Sequence, residues 1–378
     1  MLFCYIYNAM PQYRLNFKKK LLTAGALSVL IILLVNLDAF PHFVNHFYSE
    51  GLYRAICFIL HLLIGWLPFS FGDILYIAVI GYLLYAVVHL LFLLFKKRFK
   101  PAGTYLLQVI IGFQTAIVLF YMCWGLNYFR PSAAERLDLQ DTSYTLNDVK
   151  AVTRMLVDSL NTSRNALTQA DLNQQNKSIY KTAVNAIDSL SSTSPQYKTF
   201  MPGVKPSLIS PLLNYLSTSG YYNPFTGEAQ INWQMPIFDR PFTACHEMSH
   251  QMGFGREDEA NFVGYLAGIH SSDRLLKYSA YYEGATEFLH YLRRRDTVAH
   301  HQLKALLNAA VRQDLKTDSA YWEGYAGQIG LISGRFYDSF LKANNQPAGL
   351  RTYNRMIRLT MAWYRRGGGK QMRSEVRK

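Results

Sequence analysis

The chain divides by the way its apolar positions are spaced. Leu21 to about Leu37 is a nearly uncharged apolar run directly after Lys18, Lys19 and Lys20, and at roughly 17 residues it reaches the lower limit for a bilayer-crossing helix. Ile74 to Phe95 is a stronger run, carries Tyr76, Tyr82 and Tyr85, and stops at the basic stretch Lys96 to Lys100. Tyr105 to Trp124 is a third, ending in Tyr121, Trp124, Tyr128 and Phe129, an aromatic group suited to headgroup level. Between the first two, Leu52 to Phe71 is apolar but broken by Arg54, His61, Gly65, Pro68 and Gly72. That pattern predicts an interfacial or re-entrant helix, with a fourth span as the competing reading.

The first run also has the character of a signal peptide, but Asn36, Asp38, Phe40 and Pro41 follow it in place of a small-residue cleavage site, which favours a retained helix. His89, Gln108 and Gln114 are polar positions inside the spans, expected to bond helix to helix. The expectation is therefore a membrane anchor over residues 1–127, with spans at about 21–37, 74–95 and 105–124 and an interfacial segment at 52–71.

From residue 128 to 378 the pattern is that of a packed globular domain. Leu146 to Leu167 and Ile179 to Leu190 carry helical spacing. Asn223 to Gly227 has turn chemistry, and the alternation of Ala229, Ile231 and Trp233 after it predicts a short strand over Glu228 to Trp233. Two readings of that strand stay open: an edge that pairs with an extended substrate backbone, or an ordinary hairpin strand.

Charge adds topology. The formal net charge is +14, with much of the excess in Lys18–Lys20, in Lys96, Lys97, Arg98 and Lys100, and in a tail of Arg365, Arg366, Lys370, Arg373, Arg377 and Lys378. Short flanks and a tail form no single basic face, and no nucleic-acid module accompanies them, so no nucleic-acid partner is expected. With three spans, the positive-inside rule puts both basic loops in the cytoplasm and the C-terminal domain outside; a fourth span reverses this. Of four cysteines only Cys245 lies in the soluble part, so no internal disulfide staples that part, a usage compatible with either compartment.

The chemistry concentrates at His246-Glu247-Met248-Ser249-His250. Positions i and i+4 of a helix share a face, so both imidazoles can meet one tetrahedral Zn²⁺. Glu247 then points beside the metal, placed to take a proton from the attacking water and pass it to the leaving amine. A third ligand is required, and Gly255-Arg256-Glu257-Asp258-Glu259-Ala260-Asn261 supplies acids. Glu259 is the expected ligand, because Phe262, Tyr265 and Leu266 continue from it at core spacing. Glu257 and Asp258 suit a helix N-terminus, where acids are favoured, and Glu283 is the reserve ligand. Tyr278, Tyr281, Tyr282 and Tyr353 are candidates to donate to the oxyanion, against packing as the ordinary role of a tyrosine in a chain with 27 of them. Cys245 lies about 100° around the helix from His246, which suits a buried small hydrophobe.

Position 256 is arginine, so the longer HExxHxxGxxH pattern is absent. The HExxH followed closely by Glu-Ala-Asn resembles gluzincin-type zinc peptidases. With Asn223-Pro224-Phe225-Thr226-Gly227-Glu228 before the motif and Tyr337-Asp338-Ser339-Phe340-Leu341-Lys342 after it, the chain looks like the bacterial domain-of-unknown-function 3810 family. That resemblance implies a membrane-bound peptidase of unknown substrate; with the orientation given by the basic loops, its domain is expected on the periplasmic or outer side of a bacterial cytoplasmic membrane. The expected fold is an α-helical membrane anchor plus a mainly α (α+β) zincin-like domain, with one zinc ion, the lipid bilayer and a peptide or protein substrate as partners. The alternative is a catalytically inactive zinc-binding membrane scaffold.

Overall fold

The computed structural model describes residues 2–141, 143–346, 349 and 356–368; Tyr353 and the basic tail from Lys370 lie outside them. Among the described residues, four helices are long and apolar enough to cross a membrane: Phe17–Ala39, Pro41–Ile64, Phe71–Phe95 and Phe99–Cys123. The first belongs to α1 (Leu2–Val35); the others are α2 (Pro41–Ile64), α3 (Phe71–Phe95) and α4 (Phe99–Cys123).

Side-chain contacts fix the directions of these helices. Lys20 Nζ donates to Gln108 Oε1 at 3.1 Å, and Gln114 Nε2 donates to Ala24 O and Ser28 Oγ at 3.1 and 2.8 Å, so α1 and α4 run side by side in the same direction. The in-span glutamines bond helix to helix, as their sequence positions predict. α3 and α4 form a hairpin closed by Lys96 to Arg98. α1 therefore ends, and α3 begins, at the end of the bundle that meets the domain.

It follows that α2 starts and finishes at that same end, although its length and apolarity would let it cross. Its inner face is bound along the domain: Tyr53 Oη donates to Gln251 O at 2.9 Å, Arg54 Nη2 to Pro195 O at 2.9 Å, and the His61 ring bridges Phe200 O and Gly227 O. Its other face exposes Phe47, Phe58, Leu62 and Leu63. A helix covers most of the 52–71 segment, begins eleven residues earlier at Pro41, ends at Ile64 and includes a π-helical stretch from Val44 to Leu52.

The domain is mainly helical. α5 (Leu146–Asn165) opens with a reciprocal Thr145–Asp148 capping box, and α6 (Asn176–Ser191) follows. α7 (Arg240–Gln251), α8 (Glu257–Ile269) and α9 (Arg274–Arg295) pack on one another and on α5 and α6. α10 (Thr297–Ala305), α11 (Ala309–Tyr325), α12 (Gln328–Ala343) and α13 (Met356–Trp363) complete it. The single sheet among the described residues has three strands, β1 (Val204–Pro206), β2 (Gly220–Asn223) and β3 (Glu228–Ile231), in the order β1-β3-β2.

The strand ahead of the HExxH helix is therefore central and not an edge: β3 pairs parallel with β1 and antiparallel with β2, and all four of its residues are buried. The outer strand on the site side is β2. β3 also ties the domain to the membrane segment, since Glu228 accepts from the N–H groups of Phe71 and Gly72 at the start of α3 and from Lys205 Nζ.

Candidate metal centre

α7 begins with Pro241 in its first turn, where a missing N–H costs nothing. It ends before Gly253, whose φ of +78° is a left-handed conformation that glycine adopts without a Cβ clash. Along α7 every residue from Pro241 to Gln251 is buried, which puts the HExxH set inside the protein. One ligand atom from each of His246, Glu247 and His250 lies within 4.8 Å of the others.

α8 lies against α7 closely enough that a Cβ on Gly264 would sit 3.1 Å from His246 N. This approach brings Glu257 to the histidines. Glu257 Oε2 is 3.2 Å from His246 Nε2 and 3.8 Å from His250 Nε2. Its other oxygen accepts from Tyr337 Oη on α12 at 2.6 Å, which turns Oε2 toward the imidazoles. His250 Nδ1 is 2.7 Å from Phe254 O; a carbonyl only accepts, so Nδ1 carries the hydrogen and the Nε2 lone pair faces the gap.

Glu259, the ligand expected from sequence, points elsewhere. Two residues along a helix is about 200° of rotation, and its carboxylate accepts from Ala133 N at 2.8 Å and pairs with the buried Arg136 at 3.4 Å. Glu257 stands where Glu259 was expected. Glu283, the reserve, lines the same cleft as the histidines. Among the proposed tyrosines, Tyr278 donates to Asp314 Oδ2 inside the core and Tyr281 packs on Tyr265. Tyr282 lines the cleft, with its hydroxyl on Asp318. Cys245 is fully buried, as expected for a small hydrophobe.

The electrostatics sort the groups. Burial works against charge on His246, but the Glu257 hydrogen bond and the Glu247 and Glu257 charges outweigh it and raise its pKa to about 9. Burial takes His250 down to about 4, leaving it neutral at pH 7. Glu257 is held at about 2, because His246 and His250 overcome the burial that would raise it. Burial pushes Glu247 up to about 8, with His246 opposing and Glu257 adding. The His246 Nδ1 is buried without a hydrogen-bond partner among the described residues. Two imidazole nitrogens and an anionic oxygen around one gap are a donor set that fits a divalent cation such as zinc.

A family model matches residues 48–361, from within α2 to within α13. The chain belongs to the family described as Protein of unknown function (DUF3810). No curated protein and no solved structure matches it. In this DUF3810 chain the matched stretch includes α7, most of α2 and the exit of α4, which together hold the C-terminal end of α7: Trp124 Nε1 donates to His250 O at 3.0 Å, and Tyr53 Oη shares its hydrogen between His250 O and Gln251 O at 3.2 and 2.9 Å. A cavity of about 1200 Å³ contains the site. β2 forms one wall, and Gly220 is required there, since a Cβ would lie 2.7 Å from the backbone carbonyl of Gln230 as well as 2.9 Å from Glu247 Oε1. Tyr337 is the positioning residue that motif reading missed; its one sequence signal was its place in the Tyr337-to-Lys342 stretch.

Proposed function

We propose that this protein is a zinc-dependent peptidase anchored in the bacterial cytoplasmic membrane, with its metal-bearing domain on the outer side. The observation that carries the reading is Glu257 Oε2 lying within 3.2 and 3.8 Å of the two histidine Nε2 atoms, with the Glu247 carboxyl beside them. His246, His250 and Glu257 would hold the metal. Zinc supplies Lewis acidity there, polarising a peptide carbonyl and making water a nucleophile at neutral pH.

The remaining work belongs to the chain. Glu247, whose ionised form a cation at the histidines would favour, accepts the proton of the attacking water and delivers it to the departing nitrogen, so the carbonyl carbon gains a hydroxyl as the C–N bond breaks and the amine gains the hydrogen. β2, an outer strand next to Glu247, offers main-chain groups to an extended peptide. The outward orientation rests on Lys20 meeting Gln108: both basic clusters lie at the end of the bundle remote from the domain, and basic loops face the cytoplasm.

Elemental analysis of the detergent-purified chain is the test. Near one zinc per chain is expected, lost in His246→Ala and Glu257→Ala and kept in Glu259→Gln. Glu247→Gln keeps the metal and loses hydrolysis by about 10²–10⁴-fold. Absence of zinc after add-back, or undiminished hydrolysis by Glu247→Gln, rejects the reading.

A further inference from the structure

The cavity that holds the histidines does not end at the domain. Its far wall is made by the spans, with Tyr76 from α3 and Phe113, Ala116, Ile117 and Phe120 from α4. On α4 these positions continue to Trp124, which donates to His250 O, so one helix face leads from the bundle to the metal helix. Phe113 lies eleven positions before Trp124, about 16 Å along a helix, against a hydrocarbon core of about 30 Å. The cleft therefore descends to the depth of lipid tails.

That face of α4 is open. Phe113 is 59% and Ile117 37% exposed, whereas α1 packs on the side of α4 that carries Gln114. Ala116 lines the cleft, and Gly112, one turn before it at the margin of that face, is exposed as well; a Cβ on Gly112 would meet nothing within 4 Å. A small residue four positions before another lets a second helix approach closely within a membrane. The opposite wall is α12, which turns Gly330, Ser333, Gly334 and Tyr337 to the cleft and exposes Ile329, Ile332 and Phe336.

We infer that the substrate is a membrane-spanning polypeptide whose own span docks on the Gly112-to-Phe120 face of α4 and whose cleaved bond lies just beyond the outer end of that span. The inference rests on the peptidase reading for the cleavage, while the docking face stands on its own geometry. Lipid contact with the spans is continuous with the cleft, so such a span arrives by lateral diffusion and never leaves its solvent. A polar flank then enters beside β2 and Glu247.

The experiment uses the full chain carrying Glu247→Gln in vesicles of phosphatidylethanolamine and phosphatidylglycerol. Three photoreactive peptides share one polar flank, attached to a leucine-alanine span, to a palmitoyl chain or to nothing. The span peptide is expected to crosslink at Gly112 to Phe120, at least tenfold more than either other probe. Ala116→Trp reduces that capture at least tenfold. Leu33→Trp, an exposed position on α1, which lines no part of the cleft, does not. Equal capture of the palmitoyl or free peptide, or capture indifferent to Ala116→Trp, overturns the docking. Chains with active Glu247 separate the two readings. Specific capture without hydrolysis of any probe leaves docking standing and the peptidase reading rejected. Equal hydrolysis of all three probes without capture on α4 does the reverse.

Discussion

α7 and α8 are both buried on nearly all sides, yet they hold their parts of the centre by different means. On α7 the spacing of His246, Glu247 and His250 is a property of the helix itself, because one turn sets it. On α8 the single contribution, Glu257, depends on neighbours: the reversal at Gly253, the close contact at Gly264 and the hydroxyl of Tyr337. Groups placed by a helical period survive changes in their surroundings. A group placed by tertiary contacts moves when those contacts change, so substitutions away from the histidines act first through Glu257.

The sharpest way to break this comparison uses Glu257 and its neighbour two positions on. Glu259→Gln leaves Arg136, buried beneath the Phe254 ring, without its partner; breaking such a pair costs about 3–5 kcal/mol. Denaturant unfolding is expected to show that loss while zinc stoichiometry stays unchanged, the opposite of Glu257→Ala. A metal loss in Glu259→Gln would mean that the two acids have been assigned the wrong way round. Tyr337→Phe removes only the hydroxyl that aims Glu257. Competition titration should give a metal affinity about 10–100-fold weaker, with His250→Ala far worse than either.

The smallest effect is a slope with pH. His246 keeps its proton up to about 9, so a metal ion displaces that proton, and affinity should rise by about tenfold per pH unit between 6 and 8. The metal-free chain should move the other way. His246, raised above its ordinary 6.5, contributes stability that is full below 6.5 and lost as pH climbs through about 9. Glu247, also raised, contributes stability lost as pH climbs through about 8. The stability contributed by His250 and Glu257 is lost only toward acid, as pH falls through about 4 and about 2. Thermal unfolding of metal-free chain therefore shifts to lower temperature from pH 6.5 to 9, and a flat profile would count against this charge arrangement.

What could be read from the sequence was local. The HExxH pair is fixed by one turn, the apolar runs by their length, and the Gln108 and Gln114 contacts by their position inside spans. Glu257 escaped because α8 is buried from Glu257 to Ile269 without interruption. A helix surrounded by protein has no polar side, so counting core spacing from Glu259 could not choose a face. The place of β3 at the sheet centre depends on β1, a strand some twenty residues upstream whose parallel partnership leaves no mark in alternation. The interruptions of α2 were legible but not their reason: His61 and Arg54 break its apolar run where they reach carbonyls on the domain.

The carbonyl of His250 accepts from Tyr53 and Trp124, both supplied by the N-terminal part of the chain. This gives the protein an order of assembly. The end of α7 stays unfinished, with a buried acceptor lacking its donors, until α2 and the exit of α4 are in place. The helix that carries the histidines is therefore completed only once those apolar helices have docked on it. On the peptidase reading, a chain whose α2 has not yet docked is silent.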